Sequence, residues 1–211
     1  MQADDQRTTI STGGSGNDLV GDRKMKETGI LFTPDNYAKC LGGTKTQTRR
    51  LNGLDIVNDT PEFFSDPLAY AGSNDWQFDD GPDSRIFVKC PYGTIGDRLY
   101  VKEACLARAN GKAYLYKRDY SPVEAAGIGG MYGGWKSPLF VPKRSARLWL
   151  EITDVQVQRL IEISQLDAME EGADGPDYKV GYKAIWESIH GPGSWESNPY
   201  VWAISFKKVS P

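Results

Sequence analysis

The densest group of side chains that could do chemistry lies in the segment Gly42-Gly-Thr-Lys-Thr-Gln-Thr-Arg-Arg50. Three cations and three hydroxyls fall within its last seven residues. Such donors bind phosphate oxygens or polarise a carbonyl group. The segment lacks the Gly-Lys-Thr spacing of a phosphate-binding loop, which argues against a nucleoside triphosphatase. We expect contacts to a ligand from Lys45, Thr46, Thr48, Arg49 and Arg50; the alternative is a solvated edge strand whose charges discourage aggregation.

A second basic patch follows later in the chain. Its cations are interleaved with Trp135, Phe140 and Trp149, and an aromatic and basic run precedes it at 114–120. Aromatic rings that stack on bases, with cations that follow a backbone, are typical of single-stranded nucleic-acid binding. The alternative is a set of core aromatic residues alternating with solvated cations. The cations of the patch are Lys136, Lys143, Arg144 and Arg147.

Glu103 ends an alternating stretch that begins at Arg98. The alternation places Glu103 on the same face as Leu99 and Val101, the inward face of a small barrel. An inward carboxylate needs a cationic or hydrogen-bonding partner, and Lys45 or Arg49 could provide one. The alternative is that the strand ends at Lys102 and Glu103 turns into water.

Composition excludes several classes of site and of protein. The chain has 211 residues, one histidine and three cysteines, so a site that needs two histidines is ruled out and a disulfide framework is not expected. Cys40, Cys90, Cys105 and His190 lack the local pairing of zinc ligands, and we expect no metal and no cofactor. The net charge of −3 restricts nucleic-acid binding to a local groove. With no apolar stretch long enough to span a bilayer and no signal-peptide pattern, we expect a cytoplasmic protein without membrane partners.

The elements that must position these residues are short. The pattern predicts strands at 29–32, 85–88, 98–103, 147–160 and 200–209, and helices at 35–41, 164–172 and 182–190. A glycine-rich loop is predicted at 127–135. Residues 1–24 contain no aromatic residue and are expected to form a disordered leader. Residues 25–211 are expected to form one domain with an acidic insertion at about 52–84, where a phage protein could bind.

Five motifs in order resemble those of ASCH domains, a branch of the PUA-like superfamily. The first of them is the Thr-Lys-Thr-x-Thr-Arg-Arg segment described above. The set as a whole is most similar to that of ASCH-like proteins of tailed phages and prophages. The resemblance implies an α+β fold: a PUA-like mixed β-barrel with short peripheral helices. The remaining motifs lie at 90–103, 142–155, 167–172 and 186–202.

The same resemblance implies functions. PUA-like domains generally bind RNA or modified bases in a barrel cleft, here near Lys45, Thr48, Arg49 and Glu103. Small bacterial ASCH proteins include an amidohydrolase that removes the acetyl group from acetylcytidine. By motif, its proton acceptor corresponds to Lys45, its nucleophile to Thr48 and its proton donor to Glu171. Nucleic-acid or nucleoside recognition is therefore the leading hypothesis, with hydrolysis of an acylated base or of RNA, or a non-catalytic role in phage assembly, as alternatives.

Overall fold

The computed structural model describes residues 23–61, 64, 67–69, 75–81, 84–107 and 114–210. The expected leader lies outside this part of the chain except for Arg23 and Lys24. None of the described helices is long and apolar enough to cross a membrane. The helices are α1 (Pro34–Gly42), α2 (Asp55–Asn58), α3 (Pro122–Met131), α4 (Gln165–Glu170) and α5 (Tyr178–His190). The strands are β1 (Glu27–Leu31), β2 (Gln47–Arg50), β3 (Leu68–Ala69), β4 (Asp75–Gly81), β5 (Ser84–Lys89), β6 (Arg98–Lys102), β7 (Cys105–Ala107), β8 (Tyr114–Tyr116), β9 (Trp149–Arg159) and β10 (Tyr200–Val209).

A five-stranded sheet in the order β1-β6-β9-β10-β2 forms the centre of the fold. β1 and β6 are parallel, and the other neighbours are antiparallel. The smaller sheets β3-β4-β5 and β7-β8 lie outside it. Strand β10 is buried along most of its length because both faces of the sheet are covered. Trp202 and Ile204 pack with Tyr37 and Cys40 of α1 in one core cluster, while Val201 packs with α5 in the other.

The predicted α+β class with short peripheral helices is confirmed. Among the described residues the central sheet is not a closed barrel, because β1 and β2 remain its edges. No backbone hydrogen bonds between described residues pair these two edge strands, and one side chain from β2 contacts β1 instead. The Arg50 guanidinium donates to the Leu31 carbonyl at 2.7 Å and lies 5.2 Å from the centre of the Phe32 ring.

The loop predicted at 127–135 is wrong, because most of this region belongs to α3. Ser121 and Glu124 form a reciprocal capping box that starts this helix, with Pro122 in its first turn. Gly129 allows the helix to approach Trp135: a Cβ there would lie 2.9 Å from the indole ring. The Trp135 indole N–H donates to the Ala125 carbonyl at 2.7 Å, which fixes the segment that follows the helix.

The acidic stretch at 52–84 contributes to the core through its described parts. It forms α2, β3 and all of β4, and Leu54, Val57 and Phe78 are completely buried. The Phe78 ring packs edge-on against Tyr200 of β10, with ring centres 5.2 Å apart. Acidic side chains on the outer face of this stretch therefore cover an apolar inner face.

Candidate functional site

Lys45 and Glu171 meet in the interior of the protein. The Lys45 Nζ lies 2.7 Å from Glu171 Oε2 and 2.6 Å from the Glu171 carbonyl oxygen, and both side chains are at most 3% exposed. Glu171 follows α4, and Gly172, with a φ of +83°, turns the chain immediately after it. Helix α4 starts at the Ser164–Asp167 capping box, which confirms its predicted start, and it ends at Glu170, two residues before the predicted end at Gly172.

Arg49 completes this buried ion cluster. Its guanidinium donates to Glu171 Oε1 at 3.2 Å and to the Gln47 side chain at 2.5 Å, and it lies 3.5 Å from Asp167. Two cations thus face two carboxylates, as buried charges require. Burial and the neighbouring Glu171 carboxylate raise the pKa of Tyr182 well above its ordinary value, so its hydroxyl stays protonated beside the cluster.

Thr48 lies between Gln47 and Arg49 in β2, opposite Ile204 of β10. Because successive side chains of a strand point to opposite faces, the Thr48 hydroxyl lies on the face away from the Arg49 and Glu171 side chains. The structure therefore brings Lys45 and Glu171 together and places Thr48 across the strand from Arg49. Thr46 is half-buried, and its backbone N–H donates to the Glu170 carbonyl at 2.8 Å.

A cavity of about 520 Å³ opens beside α1 and the end of β6. Its floor is formed by buried residues, Tyr37, Glu103 and Ala125. Around them stand aromatic and aliphatic side chains and three cations. These further lining residues are Phe32, Pro34, Lys102, Ala104, Lys117, Arg118, Tyr120, Pro122 and Pro138. The volume lies within the range of small-molecule and cofactor sites.

Glu103 is buried, as its phase predicted, but its cationic partner is Arg147 and not Lys45 or Arg49. The Arg147 Nε and one terminal nitrogen each donate to a different Glu103 oxygen at 2.9 Å. Arg147 also donates twice to Asp119 and stacks 3.9 Å from the Tyr116 ring centre. Strand β6 ends at Lys102, and Glu103 is the first residue of the loop that follows. Its side chain points inward and meets the guanidinium of Arg147, which lies in the segment before β9.

The mouth of the pocket carries exposed cations. Arg118 lies 4.0 Å from the centre of the Tyr37 ring, and Lys102 donates to the Leu139 carbonyl. Within the described residues, Lys117 and Arg118 form no ion pair with a carboxylate. Both are exposed, so their charge is available to a ligand.

The cations of the second basic patch have different partners in the structure. Lys143 pairs with Glu27, and Arg147 is held by Glu103 and Asp119. Arg144 donates to the Tyr114 hydroxyl at 2.8 Å and forms no ion pair within the described ranges. Of this patch, Arg147 supports the pocket floor through Glu103, and Arg144 remains a surface cation.

The sequence singled out Glu103, Lys117, Arg118 and Tyr120, and the structure places all four around the pocket. It gave no functional weight to Phe32 or Tyr37. Tyr37 lies in α1, whose amphipathic pattern indicates core packing, so only its position beside Glu103 reveals a second role. Among the described residues, no group of three histidine, cysteine or acidic side chains is placed to hold a metal ion.

Comparison with known proteins finds similarity at the level of structure. No family model and no curated protein sequence matches the chain. The chain is similar to an ASCH domain from Lactobacillus crispatus JV V101, with 14% identity, a TM-score of 0.40 and coverage of 88% of this chain and 81% of that one. It is also similar to a protein from Enterococcus faecalis V583 assigned to the DUF984 family, with 12% identity and a TM-score of 0.37. That match covers 82% of this chain and 65% of the Enterococcus protein, less than two thirds of its length. ASCH is the family whose motifs the sequence resembles.

Proposed function

We propose that the pocket binds one nucleotide of a single-stranded nucleic acid, or a modified nucleoside. The observation that carries this proposal is the combination of a buried polar floor, aromatic walls and a cationic mouth in one cavity of about 520 Å³. A base is a flat, largely apolar body with polar edges, and its phosphate is an anion. The pocket offers a complementary surface to each of these parts.

The walls and the mouth supply different contacts. Phe32 and Tyr120 present ring surface on which a base can stack, an interaction that does not depend on base identity. Lys117 and Arg118 lie at the mouth, where a phosphate or sugar group would emerge. The local positive charge compensates for the overall charge of −3, so binding is expected at this site and not over the whole surface.

Binding of labelled oligonucleotides tests the proposal. Fluorescence anisotropy with a six-nucleotide single-stranded RNA should give saturable binding, and Tyr120→Ala should weaken it by about tenfold because one stacking surface is lost. Tyr132→Ala is the matched control, since Tyr132 is exposed and does not line the pocket. Equal affinities for wild type and Tyr120→Ala would show that the base does not stack there. A single-stranded DNA of the same sequence, measured in the same way, tests the preference for RNA that the resemblance implies.

The buried ion pair favours a second candidate function, hydrolysis of an acylated base. Lys45 and Glu171, the two groups that the resemblance assigns to proton transfer, lie 2.7 Å apart. Phe32 lines the pocket and its ring centre lies 5.9 Å from Lys45 Nζ, so a substrate would approach this pair from the pocket side. In this reaction a proton passes from Lys45 to Glu171 within the pair, and an oxygen nucleophile then gives its own proton to the neutral Lys45 and attacks the acyl carbonyl. The carbon–nitrogen bond breaks, the acyl group stays on the nucleophile, and the amine leaves with the proton from Glu171, which restores the ion pair.

Steady-state hydrolysis of acetylcytidine tests this second candidate. Thr48→Val keeps the shape of the side chain and removes its hydroxyl, whereas Lys45→Ala removes the proton acceptor. Turnover by wild type that is lost in both variants, with the fold intact by circular dichroism, would support hydrolysis with Thr48 as nucleophile. Turnover that survives Thr48→Val would assign the attack to water, and absence of turnover by wild type would leave binding as the function.

The biological setting follows from the resemblance alone. We propose a protein of phage or prophage type that acts in the host cytoplasm. A protein contact through the acidic stretch remains the alternative role. Leu68 and Phe87 are both exposed and pair with the same residue, Gln77, in the β3-β4-β5 sheet, so one apolar side chain lies on each side of Gln77.

A further inference from the structure

The polar groups of the pocket are separated by depth. The floor holds Glu103 and Tyr37, which are 8% and 4% exposed, whereas the side chains of Lys117 and Arg118 stand at the mouth. A carboxylate is an acceptor only, and lysine and arginine side chains are donors only. A ligand that fits this distribution therefore has a hydrogen-bond donor at its inner end and an anionic or accepting group at its outer end.

Glu103 is held in place by more than one contact. Two Arg147 nitrogens bind its two oxygens, and Arg147 is itself fixed by Asp119 and by stacking on Tyr116. A carboxylate has about four acceptor positions. Arg147 occupies two of them and the Tyr37 hydroxyl a third, so one remains for a ligand. Burial and the adjacent Glu103 carboxylate raise the pKa of Tyr37 above its ordinary value, which keeps its hydroxyl protonated beside Glu103. The floor is thus a preorganised acceptor.

We propose that Glu103, supported by Tyr37, is the specificity-determining residue of the pocket and accepts a hydrogen bond from an exocyclic amino group of the base. This inference rests on the proposed function and narrows it to amino-bearing bases, of which cytosine is the pyrimidine. A carboxylate accepting from the cytosine amino group is an established mode of base discrimination. Uracil would instead place a carbonyl oxygen against the buried carboxylate, and two acceptors would face each other without a proton between them.

Cytosine and uracil form a matched pair for the test, because they have nearly the same size and differ at the group that would meet Glu103. Binding of fluorescently labelled hexamers of cytidine and of uridine is measured by anisotropy at one salt concentration. Wild type should bind the cytidine hexamer about tenfold more tightly. Glu103→Gln and Tyr37→Phe should both reduce this ratio. Glu151→Gln, whose carboxylate pairs with Lys207 away from the pocket, is the control and should preserve it.

A hexamer of 4-N,N-dimethylcytidine provides a test that does not depend on any variant. It keeps the ring but has no amino proton, so wild type should bind it about as weakly as the uridine hexamer. Three results would each overturn the assignment of Glu103 and leave nucleotide binding in place. They are equal affinities for the cytidine and uridine hexamers, equal affinities for the cytidine and dimethylated hexamers, and an unchanged cytidine-to-uridine ratio in folded Glu103→Gln. Failure of every hexamer to bind would instead overturn the proposed function.

Discussion

The Nζ of Lys45 lies 2.7 Å from the Oε2 of Glu171, although 126 residues separate them along the chain. This contact joins the turn before β2 to the end of α4. Both side chains are nearly inaccessible to water, so each charge depends on the other for compensation. The pair therefore fixes the position of α4 against the central sheet, whichever ligand the protein binds.

Replacing Glu171 by Gln should destabilise the protein. The substitution keeps the shape and leaves Lys45 and Arg49 buried without a full counter-charge, a loss of about 3–5 kcal/mol. For a chain of this length the melting temperature should fall by on the order of 10 °C, measured by circular dichroism. Asp174→Asn is the control: Asp174 pairs with Lys39 but is 84% exposed, so its loss should cost less than about 1 kcal/mol. Equal melting temperatures for Glu171→Gln and wild type would contradict a stabilising role of the pair.

The sequence predicted most of the regular elements, because burial on one face gives a clear period. Leu99 and Val101 point inward from β6, as the alternation from Arg98 indicated, and the predicted helix at 182–190 buries Tyr182 and Trp186 on one face. The predicted strand at 147–160 is interrupted by a register shift between β9 and β10 next to Asp154, opposite Ser205 and Phe206. Helix α3 was missed because its glycines lower helix propensity, while the capping box at Ser121 and the packing of Trp135 outweigh that cost.

The site was predicted in part, because sequence identifies reactive side chains but not their long-range partners. Alternation placed Glu103 inward, yet its ion pair with Arg147 depends on how β6 and the segment before β9 meet. Lys45 and Glu171 were brought together only through the family resemblance. Nothing in the spacing of Tyr37 distinguishes a core tyrosine from one at the floor of a pocket.

Asp97 should make stability depend on pH. Its side chain is 1% exposed; burial raises its pKa, but hydrogen bonds from Arg23 and from the backbone N–H groups of Lys26 and Thr94 outweigh this and lower it below 3.8. A lowered folded-state pKa gives stability that is present above the unfolded-state pKa and is lost as pH falls through the folded-state value. Asp97→Asn should cost about 1–3 kcal/mol at pH 7 in urea unfolding, and the difference from wild type should shrink below pH 4. A constant difference from pH 7 to pH 3 would contradict this role.

Arg23 provides a test of the expected boundary of the domain. Its guanidinium donates to both Asp97 oxygens, at 2.9 and 3.1 Å, so it belongs to the folded part although it precedes residue 25. Arg23→Ala should lower the free energy of unfolding by about 1–2 kcal/mol, because a buried carboxylate loses a charged donor. Deletion of residues 1–22, whose composition cannot support a core, should leave the melting temperature within about 1 °C. A loss of several degrees on that deletion would show that these residues stabilise the fold.

The exposed cations at the pocket mouth should determine how nucleic-acid binding responds to salt. Arg49 was expected to contact phosphate, but its side chain is fully buried and bound to Glu171, so Arg49→Ala should act on stability. Arg118→Ala should weaken binding to every single-stranded sequence alike, and the slope of log K against log salt should decrease by about 0.7, the value for one phosphate contact. Lys183→Ala is the matched control, since Lys183 is a surface cation on α5 that pairs with Glu196. Titrations at four salt concentrations measure the slopes, and identical slopes for wild type and Arg118→Ala would show that Arg118 contacts no phosphate.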